Sequence, residues 1–212
     1  MKKNRSILFM TLLCLLPMVI GLVIYNKLPE ELPIHFNMEG IADDYAPKSF
    51  TVFGMPLFFV VMNLIVYFAI RFDPKNHNQN SLMMKLPLYF IPFLGNIIIG
   101  MIYMMGLGMN FNITNIIILS SIVLMILLGN YLPKCRQNYT IGIKVPWTLN
   151  SERNWNMTHR FAGYLWVITG VVSLICLFIL PREIFTIIFF VGLGVMVVVP
   201  IVYSFMLYRK GI

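Results

Sequence analysis

Charge is the scarcest commodity in this chain. Asp, Glu, Lys and Arg make up 11% of the 212 residues, against about 25% in an ordinary soluble domain, while 59% of residues are hydrophobic. That balance excludes a soluble globular domain and leaves the bilayer as solvent. Cysteine is nearly as rare. Of the three, Cys14 and Cys176 fall in apolar segments and Cys135 sits beside a basic run, so they offer neither a disulfide framework nor a spaced metal motif and read as reduced and structural. No Ser, His and Asp set, paired-carboxylate pattern or phosphate loop is present, so no enzyme is expected and no cofactor is implied.

What is present is apolar sequence in long runs. Windows at about 7–26, 50–70, 86–107, 114–132, 161–180 and 184–207 are each long enough to cross about 30 Å of hydrocarbon at about 1.5 Å per helical residue. The predicted fold is an all-α integral membrane protein of six transmembrane helices forming one polytopic domain over residues 1–212. The first window follows Lys2, Lys3 and Arg5 as a signal peptide would. It is too long for a signal's apolar region, and Asn26, Lys27 and Leu28 make no small-residue cleavage site, so it reads as a retained helix.

The net charge of +8 is a topology signal rather than a nucleic-acid footprint. With the N-terminus inside, thirteen Lys and Arg fall on the inner side and only Lys27, Lys48 and Arg182 on the outer, which predicts that both termini are cytoplasmic. Five of the eight acids, Glu30, Glu31, Glu39, Asp43 and Asp44, fall in the outer loop at 27–49; they read either as residues tolerated on that side or as a face for a cationic partner.

No Asp, Glu, Lys, Arg or His lies well inside a window, which counts against ion coupling and intramembrane catalysis. Asn63 and Asn96 are the strongest polar groups there and read as interhelical hydrogen-bonding partners. Pro17, Pro56, Pro87, Pro92 and Pro200 predict kinks, which suggest a transporter or exporter of a peptide or lipid-like compound as the alternative function, although kinks are common in membrane helices without that role.

Two polar segments interrupt the apolar pattern. In the outer loop, Pro29, Pro33 and Pro47 exclude a continuous helix, Asn37 to Gly40 reads as a turn, and Ile34 with Phe36 suits a short extended piece. His35 lies among carboxylates, but one His with unspaced acids makes a poor zinc signature, and a His hydrogen-bonded within its loop is the simpler reading. The inner loop at 133–160 is richer. Asn150 or Ser151 suits an N-cap, Glu152 favours the positive end of the helix that follows, and that helix runs directly into the fifth span. On it, Glu152, Trp155, His159, Gly163 and Trp166 share one stripe, while Arg153 and Arg160 point nearly the opposite way. One reading is interfacial: Trp at the membrane surface, Arg on lipid phosphates and His159 bonded to the preceding loop. The other is a recognition surface anchored by Trp147 and Trp155. His159 as a catalytic base is the least supported reading.

NYTIGIK at Asn138 to Lys144, PWTL at Pro146 to Leu149, then Ser151, Trp155, THR at Thr158 to Arg160 and Gly163 resemble the signature of the SdpI family of bacterial membrane immunity proteins. LPIHFNMEG at Leu32 to Gly40, followed by Asp43 and Lys48, is similar to the N-terminal domain of that family and related membrane proteins. The resemblance implies protection against a secreted peptide toxin and, in some members, a signal relayed to a cytoplasmic repressor. It nominates Pro33, His35, Phe36, Asn37, Gly40 and Asp43 for toxin contact outside. On the inner face it nominates Asn138, Gly142, Trp147, Thr148, Ser151, Trp155, His159, Arg160 and Gly163. Membrane lipids, the toxin and the repressor are the expected partners, with no direct nucleic acid and no metal.

Overall fold

The computed structural model describes residues 2–37, 40–75, 81–109 and 113–212, with side chains from residue 7 onward apart from those of 81–85. Met38 and Glu39 of the expected turn, and 76–80 and 110–112 of two expected loops, lie outside the described residues. Six helical stretches are long and apolar enough to cross a membrane: Ile7–Lys27, Phe50–Arg71, Leu86–Gly106, Ile113–Lys134, Glu152–Ile179 and Arg182–Arg209. They agree with the predicted windows except that the fifth begins earlier, because the polar helix after Ser151 and the span are one element.

The chain forms two compact units. The first comprises Met1–Arg71 and Met84–Ile116. It begins with α1 (Lys2–Cys14) and α2 (Leu16–Ile24), continues through a β-hairpin to α3 (Met55–Arg71), and takes in most of α4 (Ser81–Gly106). The first span breaks into α1 and α2 because Pro17 has no N–H for the carbonyl of Leu13. Asn96 on α4 repairs the loss: its Nδ2 donates to Leu13 O at 2.9 Å, and Tyr103 donates its hydroxyl to Pro17 O at 3.0 Å. Ahead of α3 the chain winds into a π-helical turn over Phe50–Gly54, in which Met55 N–H reaches back to Phe50 O.

The hairpin is the non-helical part. β1 (Glu31–Phe36) pairs antiparallel with β2 (Ala42–Pro47), Pro33 opposite Tyr45 and His35 opposite Asp44, with irregular register around His35. The expected extended piece at Ile34 and Phe36 is thus one arm of a paired sheet. Its partner strand carries adjacent Asp43 and Asp44, a composition depleted in strands. The hairpin is held by its base: Leu32 is fully buried among Leu28, Val52, Ile99, Ile102 and Tyr103.

The second unit comprises Phe72–Met83 and Ile117–Ile212. It contains most of α5 (Ile113–Tyr131), a short α6 (Pro146–Asn150), and the long helices α7 (Glu152–Ile179) and α8 (Arg182–Arg209). The last two pack antiparallel, with Trp166 Nε1 donating to Met196 O at 3.0 Å, around a core of Ile122, Met125, Phe185, Phe189 and Met196. Glycine permits α5 and α7 to meet closely, since a Cβ on Gly163 would lie 2.7 Å from Gly129 O and 2.6 Å from a Pro133 ring carbon.

Candidate functional site

The polar segment between α5 and α7 is irregular in backbone yet ordered by side chains. Asn138, buried at 1% exposure, does most of the folding. Its Oδ1 accepts from Thr140 N and Ile141 N at 2.8 and 2.6 Å, while its Nδ2 donates to Arg136 O and Ile141 O, each at 2.9 Å. One side chain thereby closes a tight turn and satisfies backbone groups that no helix or sheet serves. Buried Thr148 closes the next: its hydroxyl accepts from Val145 N at 3.1 Å and lies 2.8 Å from Ile143 O, fixing the entry to α6. Ser151 caps α7 by accepting from Asn154 N at 3.2 Å, with Glu152 exposed in the first turn.

Trp155 and His159 form the wall against which this loop folds. Their rings stack with centroids 3.9 Å apart, and both residues are essentially unexposed. Trp155 Nε1 donates to Cys135 O at 2.7 Å. His159 Nε2 accepts from Ile143 N at 2.9 Å, which leaves the proton on Nδ1 to be donated to Trp155 O at 2.9 Å. The ring is therefore neutral, and both nitrogens are engaged within the fold, so neither is free to take a proton from a substrate. Gly142 lies against this wall with φ +121°, and a Cβ there would sit 2.5 Å from His159 Nε2.

The expected Trp anchors consequently divide. Trp155 is internal and presents nothing to a partner; the loop covers it. Trp147 is half-buried, its ring 5.3 Å from that of Phe205 and 6.1 Å from that of Tyr208. Gly163 is buried below the loop, and Arg160 is exposed, as is Arg153. The outward chemistry of the segment is basic.

Several residues that hold the loop escaped the sequence reading. Asp73, 7% exposed, accepts from Tyr139 N at 2.8 Å and from the Thr140 hydroxyl at 2.7 Å through Oδ2, while its Oδ1 accepts from Lys75 N at 2.9 Å. Gln137 donates to Thr148 O and Leu149 O at 2.7 and 2.9 Å and accepts from Lys75 Nζ. Asn154, also buried, donates to Ser204 O at 3.0 Å and accepts the Ser204 hydroxyl at 2.7 Å, tying α7 to α8. Asp73 had one available signal, an acid on the side otherwise dominated by Lys and Arg. Cys135 is buried, and that burial pushes its thiol up to about 11, with Asp73 adding in the same direction and the Asn138 amide opposing.

The hairpin residues are arranged differently. Pro33 is buried and Phe36, Asn37 and Gly40 are half-buried, whereas His35 and Asp43 project outward. His35 Nδ1 donates to Asp43 Oδ1 at 2.6 Å across the strands. The turn is closed by Asn37, whose Oδ1 accepts from Ile41 N at 3.0 Å, with Gly40 at φ +84°. Lys48 bonds Glu30 at 2.9 Å and lies 4.8 Å over the Tyr25 ring, fastening the hairpin base to the end of the first span. Among the described residues no group of three or more His, Cys, Asp or Glu is placed to hold a metal.

Residues 134–204, which hold nearly all of the pinned loop, all of α7 and most of α8, match the SdpI/YfhL protein family. Residues 12–60, which contain the hairpin, match a domain of unknown function (DUF1648). Immunity protein SdpI of Bacillus subtilis (strain 168) is 30% identical over 172 residues, covering 81% of this chain and 80% of that protein. The chain belongs to the SdpI/YfhL family. The family resemblance read from the two polar motifs is thereby established, and with six apolar spans this SdpI/YfhL member is a multi-pass bacterial membrane protein. No solved structure matches the chain.

Proposed function

We propose that the chain is a membrane immunity protein that protects a bacterium against a secreted peptide toxin. The observation that carries this reading is its 30% identity to Immunity protein SdpI across four-fifths of both chains. The charge distribution supports cytoplasmic termini. On that topology the hairpin, which follows the first span, faces outward, and the pinned loop, which follows the fourth, faces the cytoplasm. Toxin meets the exposed His35 and Asp43 pair and its neighbours Phe36, Asn37 and Gly40, with Pro33 supporting the strand from beneath. The consequence is read on the basic inner face, where Arg160 and the loop folded by Asn138, Gly142, Thr148, Ser151, Trp155 and His159 meet a cytoplasmic repressor. The protein acts by binding, and none of these roles calls for a catalytic group.

The test is survival of a toxin-sensitive bacterium expressing the chain. Replacing His35 and Asp43 together by Ala is expected to lower protection while the amount of protein in the membrane stays the same. Undiminished survival after removal of residues 33–44 would overturn the assignment of toxin contact to the hairpin.

A further inference from the structure

Within the first unit, the first span (α1 and α2) and the second (the π-helical turn and α3) share an antiparallel seam with two close contacts. A Cβ on Gly21 of α2 would lie 3.0 Å from a methyl carbon of Val52 in the π-helical turn, and between α1 and α3 themselves Cys14 Sγ lies 3.8 Å from Phe59 O, which sets their register. One turn further along the seam this register brings Asn63 of α3 level with Met10 and Thr11 of α1. Thr11 stands three residues before Cys14, and Asn63 four after Phe59, so both lie on the faces that meet.

Asn63 is 1% exposed, and neither its Nδ2 nor its Oδ1 has a hydrogen-bond partner; the hydroxyl of Thr11 is likewise buried and unpartnered. Thr51 and Trp147 leave single orphan atoms elsewhere, but Asn63 leaves a whole amide. Burying such a group unpaired in hydrocarbon is costly, and buried polar groups in folded proteins are satisfied almost without exception. Asn96 in the same unit illustrates the usual solution, since its amide reaches the carbonyls of Leu13 and Pro92 at 2.9 and 2.7 Å.

We propose that the α1–α3 seam binds a water molecule between Asn63 and Thr11. The donor set selects the ligand. Oδ1 requires a donor, Nδ2 requires an acceptor and the hydroxyl serves as either, so the occupant must be small, uncharged and capable of both roles. A cation would satisfy the oxygens and leave Nδ2 unbonded. A peptide or lipid group is excluded by the burial of Asn63. Such a water makes two or three hydrogen bonds and turns an otherwise unfavourable residue into a link between the first two spans.

The site is testable by nuclear magnetic resonance on full-length protein in lipid nanodiscs, with Asn side chains labelled with nitrogen-15 and the Asn63 signal assigned by its disappearance in Asn63→Leu. The Asn63 NH2 protons are expected to show a dipolar cross-peak to the water line that a water-soluble paramagnetic relaxation agent does not broaden. Thr11→Val should lose that cross-peak, and Thr11→Ser, which restores the hydroxyl, should regain it, while the remaining Asn signals report an unchanged fold. A resolved Asn63 signal without a water cross-peak, or one broadened like a surface amide, would overturn the site. A cross-peak undiminished in Thr11→Val would overturn the two-residue site.

Discussion

Gly142 carries two constraints at once, and either alone would exclude a side chain. Its φ of +121° belongs to a region that residues with a Cβ rarely enter, and an added Cβ would collide with the ring nitrogen of His159 that accepts from Ile143. Strain of that kind costs about 1–3 kcal/mol before any clash. Gly142→Ala is therefore expected to lower the thermal unfolding midpoint in detergent. Asn154→Ala should do the same by a separate route, since it removes the ties to Ser204, and each change is checked by the midpoint of thermal melting followed by circular dichroism. Cys135 offers a pH test. Its ordinary value of 9.0 is raised to about 11 in the folded chain, so the thiol keeps its proton across the interval in which an unfolded thiol loses it. Its contribution to stability is thus fully present below about 9 and declines as pH rises towards 11. In a background with Cys14 and Cys176 replaced by Ala, maleimide labelling at pH 8 is expected to be slow in the folded protein and fast after denaturation.

Among the elements, the broken first span makes the clearest energetic statement. Pro17 withholds a backbone donor from Leu13, and a side chain on another helix supplies one. Asn96→Leu alone should cost about 1 kcal/mol, the usual value of an interhelical hydrogen bond in a membrane. In a Pro17→Ala background, where residue 17 regains its N–H, the same substitution is expected to cost less; equal costs in both backgrounds, measured by unfolding in mixed micelles, would show that the two residues are uncoupled. The helices themselves were legible because length and hydropathy suffice to declare a span, and Asn150 or Ser151 followed by Glu152 marked the start of α7, with Ser151 the residue that caps it. The folding of the pinned loop was not legible. Asp73 meets Tyr139 across 66 positions of chain, and no local pattern in DPK encodes that meeting. Periodicity put Trp155, His159 and Gly163 on one stripe of α7, but it cannot say whether a stripe looks outward or inward; these three look inward, while Glu152 at the head of the same stripe is exposed. The hairpin was half legible: its turn and first arm were visible, while the second arm is a strand by pairing and not by composition.

At the scale of the whole molecule, the charge asymmetry is what supports the proposed orientation, and it makes a sharp prediction. With the native cysteines replaced, a membrane-impermeant maleimide added to intact cells should label Asp44→Cys on the hairpin, whereas Lys144→Cys in the pinned loop should label only after the cells are opened. Both positions are exposed, so burial does not confound the comparison. The stacked pair at the heart of the loop also equips the protein with an optical gauge. Trp155 sits face to face with an imidazole and bonded to a carbonyl, out of contact with water. Its emission should be dim and blue-shifted. With Trp147 and Trp166 replaced by Phe, any event that lifts the loop from α7 would brighten and redden the fluorescence, so binding of the proposed toxin or release of the proposed repressor could be followed in time without attaching a dye.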